Sequence, residues 1–233
     1  MSTVTRVRLR KFFQRFSTAR LQLPAARGNL YEFFVFLNVC ERARRAGLAV
    51  SLSAPGGTYV VRASPGALGG GFGYASFTSP SATTYELHNG IEIDGQSAMH
   101  HEADLLLLGR RGTAPPGPPR VALSGRRLWW TAECKLYGSS SRLKGEARKT
   151  VGAVLDWSKA SHPSNRNSRM QGCLHCGMGF DASFVTNVRQ GLRPDIEDFL
   201  GTYEIAPCFG ALPGQKSLTV LRSHVSAVVS KLP

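Results

Sequence analysis

The chain has 233 residues, enough for one domain with a sizeable core, and 42% of them are hydrophobic, which excludes an intrinsically disordered chain. No apolar run approaches the ~20 residues of a membrane-spanning helix, and the N-terminus lacks the apolar centre of a signal peptide. The net charge of +14, from 29 basic against 15 acidic residues, favours a polyanionic partner. No lysine-rich, apolar-faced segment speaks for a membrane, so nucleic acid leads.

The first residues, "MSTVTRVRLRKFFQRFSTAR", are rich in Arg and Ser and free of acids. They superficially resemble a transit peptide, but a basic helix or arm over residues 1–27 that grips phosphates explains them equally. A single domain is expected from 28 to 233. It opens with "GNLYEFFVFLNVCERARRAG", a predicted helix with Asn29 as N-cap and Gly47 past its end. On a helical wheel Glu32 shares the apolar stripe of Val35, Phe36, Val39, Ala43 and Ala46, while Asn38, Glu41 and Arg45 lie opposite. A carboxylate on a core-facing stripe is costly. With Asn29 as N-cap, Glu32 would also be the third helical residue, where a capping-box Glu belongs, and both readings stand at this point.

Residues 53–82 are dominated by Gly, Ser, Pro and Ala and predict a long insertion with one strand in it. The "GGGFG" inside it lacks dinucleotide-fingerprint spacing, and no GxxxxGK[ST] occurs, so nucleotide hydrolysis is unsupported. Three strands follow: "TYELHNGIEIDG", "HEADLLLLG" and "RRLWWTAECKLY", the last two separated by the proline-rich surface loop "RRGTAPPGPPR". A helix over "SRLKGEARKTVGAVLDWSKA", a fourth strand at "FDASFVTNV", a helix near "RPDIEDFLGTY" and a last helix in "SLTVLRSHVSAVVSKL" complete the chain. This order predicts an α/β fold, a mixed sheet flanked by helices.

The third strand raises the functional question. Alternation puts Leu128, Trp130, Ala132, Cys134 and Leu136 on one apolar face, and Trp129, Thr131, Glu133, Lys135 and Tyr137 on the other. A carboxylate and an ammonium two residues apart could be an exposed ion pair of little worth. They could equally be two parts of a site. In the second strand Glu102 and Asp104 share a face with His100, ahead of an apolar leucine run.

"HEADLLLL" followed after a loop by "AECKLY" resembles the core motif of the PD-(D/E)xK nuclease superfamily, the restriction-endonuclease-like fold. The predicted α-β-β-β-α-β order over about residues 28–200 is similar to that family's core; Ala103 stands where the family often has Pro. The resemblance implies a Mg²⁺-dependent endonuclease (Mn²⁺ substituting) with Asp104, Glu133, Lys135 and Glu32 as catalytic residues. Asp104, Glu133 and the backbone carbonyl of Cys134 would hold the cation, joined by Glu32 or Glu102. Mg²⁺ takes hard oxygen ligands, and an ammonium at Lys135 would orient or help deprotonate the attacking water. It also implies double-stranded DNA as substrate, a role in restriction or defence, and a homodimer or a partner subunit for cutting both strands.

Two alternatives remain open. One is a non-catalytic nucleic-acid-binding module of the same fold. The other is a zinc-dependent binding protein built on Cys173 and Cys176 of "CLHC", around His175, with ligands such as Cys208 or His162. Five cysteines without a secretory signal predict a reducing, cytoplasmic setting.

Overall fold

The computed structural model describes residues 5–68, 71–95, 97, 99–109, 121–122, 128–137, 141–160, 180–189, 191–213 and 218–232. In chain order the elements are α1 (Arg6–Phe13), β1 (Arg20–Gln22), α2 (Arg27–Arg45), β2 (Ala49–Ser53), β3 (Thr58–Val60), β4 (Tyr74–Thr78), β5 (Thr84–Asp94) and β6 (His100–Gly109). There follow β7 (Val121–Ala122), β8 (Leu128–Lys135), α3 (Leu143–Ala160), β9 (Asp181–Thr186), α4 (Pro194–Thr202), β10 (Ile205–Cys208) and α5 (Leu218–Ser230).

One mixed sheet runs β10-β9-β8-β6-β5-β4-β2, with β7 beside β5. The β10–β9 and β9–β8 pairs are parallel, and β8–β6, β6–β5, β5–β4 and β4–β2 are antiparallel. Helices cover both faces. Leu9 and Phe13 of α1, the aromatic run of α2 and the apolar stripe of α5 form one core with Leu105, Leu107, Trp130, Ala132 and Cys134. Leu143, Val154 and Trp157 of α3, with Ile196 and Leu200 of α4, form the second core with Leu106, Leu108 and Phe184. The fold is therefore α/β, a mixed sheet between helical layers, and β1, β2, β7 and β10 are strands beyond the expected ones.

The basic N-terminal segment forms α1, whose Phe13 ring meets Phe33 and Tyr59. Its apolar side is thus part of the core, and its arginines and Lys11 face outward.

Several local expectations change. Helix α2 begins at Arg27 after Ala26, so Asn29 is not its N-cap; the Asn29 amide instead reaches the carbonyl of Arg62. Gly47 does close the helix in the left-handed region (φ 90°), with Leu48 N–H donating to Ala43 O at 3.1 Å. Nor is α2 two-sided. Asn38 and Glu41, expected on a wet face, are buried, and Ala46 is an exposed cap residue. A helix between a sheet and two other helices is enclosed nearly all round, and Asn38 is satisfied within it by the Phe34 carbonyl at 2.8 Å.

The segment 53–82 carries two strands, not one. β4 enters the main sheet between β5 and β2, with Ala75 and Phe77 buried, while β3 pairs with β1. The loop at 110–120 and the Cys173–Cys176 motif lie outside the described residues. Cys40, Cys134 and Cys208 are free and buried. Among the described residues no helix is long and apolar enough to cross a membrane.

Candidate active site

The site forms where β6 bends away from β8. On β5, Leu87 belongs to the core on the α2 side, yet Ile91 and Ile93 belong to the opposite one despite their even spacing. Gly90, at φ 60°, makes the inversion. Strand β6 inverts in step, since Leu105 faces α2 and Ala103 faces away. Asp104 stands at that bend, between the Ile91↔Ala103 and Asn89↔Leu105 pairs. The ladder from β6 to β8 stops at Leu105↔Ala132. Beyond it the Cys134 N–H would lack a strand partner on that side, and Asp104 Oδ2 accepts from it at 2.7 Å. A carboxylate thus replaces a strand carbonyl, which fixes Asp104 at 1% exposure.

Glu133 and Lys135 share a face of β8, as alternation predicts. Lys135 Nζ donates to Asp104 Oδ2 at 3.1 Å and contacts Glu133 Oε1. The rest of the predicted pattern is interrupted. Trp129 is a bulge, because Leu107 pairs with Trp130 and Leu108 with Leu128. Leu128 therefore faces the second core, while Trp129 joins Trp130 on the α2 side and meets Tyr85 edge-on at 5.7 Å. Leu136 lies beyond the strand and is 36% exposed, so the apolar face ends at Cys134.

Glu32 reaches the same place from α2. Burial, then the charges of Asp104, Glu102 and Glu133, push its carboxyl up to about 8, against a pull from Lys135. It is the sixth residue of the helix, out of reach of a capping box, so the capping explanation fails. Burial and Asp104 push Glu133 to about 8 as well, and Asp104 is itself raised by burial. Glu102 is raised by burial and by Asp104, but it is exposed and sits at the rim, opposite Glu92. His100 Nδ1 lies 2.6 Å from Asp94 Oδ1.

Burial alone would push the Lys135 ammonium down, but Asp104 and Glu133 outweigh it and hold the group well above its ordinary range. In this state Lys135 is a donor and a fixed positive charge. A charged ammonium can orient a water as it stands, whereas helping to deprotonate one would require it first to give up its own proton.

Two further residues converge here. Glu146, in the first turn of α3, adds its charge to Asp104 and to Tyr137. Tyr137 follows Lys135 by two, and its buried hydroxyl has no hydrogen-bond partner among the described residues. Its backbone is clamped by one side chain: Tyr137 N–H donates to Asn187 Oδ1 at 2.7 Å, and Asn187 Nδ2 donates to Tyr137 O at 2.8 Å. The only sequence signal for Glu146 is an acid among the basic residues of "RLKGEARK".

A second polar cluster is unsuited to nucleophilic catalysis. Asp156 accepts from Ser97 Oγ at 2.6 Å and lies 3.0 Å from His101 Nε2. The carboxylate, not the imidazole, faces the hydroxyl; burial would raise Asp156, but bonds from Ser97 and His101 hold it below its ordinary range, so it is a weak base toward Ser97. The cluster ties the β5–β6 turn to α3.

The oxygen donors at the acidic site suit a hard cation. Among the described residues no group of three or more His, Cys, Asp or Glu is close enough to hold a metal as it stands. Mg²⁺ needs no such group, because it binds through one or two carboxylates, waters and substrate phosphates. No family model, curated protein or solved structure matches the chain.

Proposed function

We propose that the chain is a Mg²⁺-dependent nuclease of restriction-endonuclease-like fold, hydrolysing phosphodiester bonds of DNA in restriction or defence. One observation carries this reading: Asp104, Glu133 and Lys135 meet across adjacent strands, with Glu32 brought to them from α2. Carboxylates packed until two of them rise to about 8 are a poor arrangement for stability alone. They suit a cation that offsets their charge, and perturbed groups gathered at one point are what a catalytic site needs.

Asp104 and Glu133 would hold the cation, with Glu32 or Glu102 completing the set. The cation would supply Lewis acidity and charge neutralisation at the phosphate. Asp104 is held in place by the Cys134 N–H, so Cys134 enters the site through its backbone. Lys135, kept charged, would donate to the attacked phosphate and stabilise the negative charge that develops there. Where Glu102 completes the set, Glu32, its carboxyl raised to about 8 in the metal-free chain, would be the group suited to accept a proton from the attacking water.

The test is incubation of supercoiled plasmid and of single-stranded DNA with the purified chain, in Mg²⁺ or Mn²⁺ against EDTA. Nicked or linear product is expected only with metal, and Asp104→Ala and Glu133→Ala should each abolish it. Binding without cleavage under every metal condition would favour the non-catalytic module instead. Undiminished cleavage by either variant would overturn the site.

A further inference from the structure

The far end of α2 carries a second charged centre that the acidic site does not use. Glu41 accepts from Arg15 Nη2 at 2.8 Å, Arg45 Nε at 2.9 Å and Arg44 Nη2 at 3.1 Å. The carboxylate side chain is 8% exposed, whereas the three arginine side chains are 48%, 61% and 51% exposed. Arg222 joins them from α5, which packs on α2; after burial, the charges of Arg42 and Arg45 push it down more than Glu41 lifts it. Five guanidinium groups against one carboxylate leave an excess of four positive charges here.

A guanidinium has five N–H donors in a rigid fork. Each of the three partners commits one side of that fork to Glu41 and keeps the rest for solvent or a ligand. Three separate elements supply the cluster: the turn after α1, the last turn of α2, and α5. Arginines kept apart for solubility need no shared acceptor sunk among them. Arginines pre-oriented for anionic groups do, because rotamer freedom is then lost on folding rather than on binding.

We infer that Arg15, Arg42, Arg44, Arg45 and Arg222 form a phosphate-binding platform, organised by Glu41, that grips a nucleic-acid backbone away from the acidic site. The identity of the ligand rests on the nuclease reading; the platform itself does not. Glu32 and Arg42 are separated by about 15 Å along α2 at ~1.5 Å per residue, roughly the axial rise of four to five base pairs at 3.4 Å each.

The experiment is fluorescence anisotropy of a short labelled duplex with the full chain in EDTA, over a series of KCl concentrations. The Arg42→Gln/Arg45→Gln/Arg222→Gln variant should bind at least ~10-fold more weakly, and its log–log salt slope should fall by about 0.9 for each phosphate it no longer neutralises. Unchanged affinity and slope would overturn the proposal. Glu41→Gln sharpens the test. Diffuse charge predicts tighter binding when a negative charge is removed, whereas an organised platform predicts weaker binding; tighter or equal binding counts against it. Vesicles of phosphatidylcholine and phosphatidylserine form a third arm. If the arginine variant lost vesicle binding but kept duplex binding, the nucleic-acid assignment would fall. No metal is present in these titrations, so failure of the platform and failure of the cleavage reading are separately visible.

Discussion

Helix α2 carries two glutamates with opposite fates. Glu32 lies among like charges, and its carboxyl rises to about 8. Glu41 is also largely enclosed, and burial alone would raise it, but Arg45, Arg44 and Arg15 outweigh that and hold it below the usual carboxylate range. The same residue type on the same helix is therefore destabilising at one end and stabilising at the other. What differs is the company each keeps. Glu41 has found its cations within the chain, while Glu32, Glu133, Glu102 and Asp104 share one, Lys135, among the described residues. In the proposed nuclease, the Mg²⁺ ion would relieve that shortage of positive charge.

The largest expected effect is at that shared cation. Lys135→Ala should lower single-turnover DNA cleavage by about 10²–10³-fold, while anisotropy still reports DNA binding. Cleavage within a factor of a few of wild type would mean that Lys135 only balances charge.

Next is Glu41. Glu41→Ala leaves Arg15, Arg44 and Arg45 without their common acceptor and should cost about 1–2 kcal/mol in a denaturant titration, discounted because the arginines are half exposed. No loss would place the two glutamates on an equal footing and break the contrast.

The third effect is in pH. Glu32 and Glu133 rise from an ordinary value of 4.5 to about 8, so the folded chain binds more protons than the unfolded chain between those values. Their contribution is most favourable below that window and is lost as pH rises through it. Glu41 works in the other direction: its contribution is present above its ordinary value of 4.5 and is lost as pH falls below it. Thermal melting of the metal-free protein should therefore drop between about pH 6 and about pH 9, and added Mg²⁺ should raise the midpoint more at the higher pH, where no proton competes. Glu32→Gln should flatten the drop and weaken the response to Mg²⁺. An unaltered profile in that variant would remove Glu32 from the site.

The smallest effect separates β8's two faces. Cys134→Ala removes a buried thiol on the α2 side and should cost on the order of 1 kcal/mol in denaturation, with cleavage nearly unchanged, because only the Cys134 backbone touches Asp104. Loss of cleavage in a stable Cys134→Ala protein would contradict that division.

Period-two alternation is a local property, and it was enough to place Glu133 and Lys135 on one face of β8 and Cys134 on the other. Charge cost marked Glu32 as a residue needing a reason, but a capping box explained it equally well until the helix start at Arg27 put it out of capping reach. The leucine run of β6 and the apolar spacing of α3 and α5 marked their elements in the same way. Other features depend on what stands opposite. The bulge at Trp129 reverses Leu128, and the paired inversion at Gly90 and Asp104 opens the gap that Asp104 fills; both are matters of register between strands. Strand β10 is four residues long with Pro207 inside it, and β4 is five residues long within a Gly/Ser/Pro-rich segment, so neither is distinct without its neighbours. Which side of α2 is wet depended on α1 and α5 packing around it, and the meeting of Glu146 and Tyr137 with Asp104 depended on where α3 docks. The residue types that could do the chemistry were written in the chain. Their convergence, and the division of α2 into an acidic end and an arginine-bound end, belongs to the tertiary structure, because distance between charges is set by packing and not by spacing along the chain.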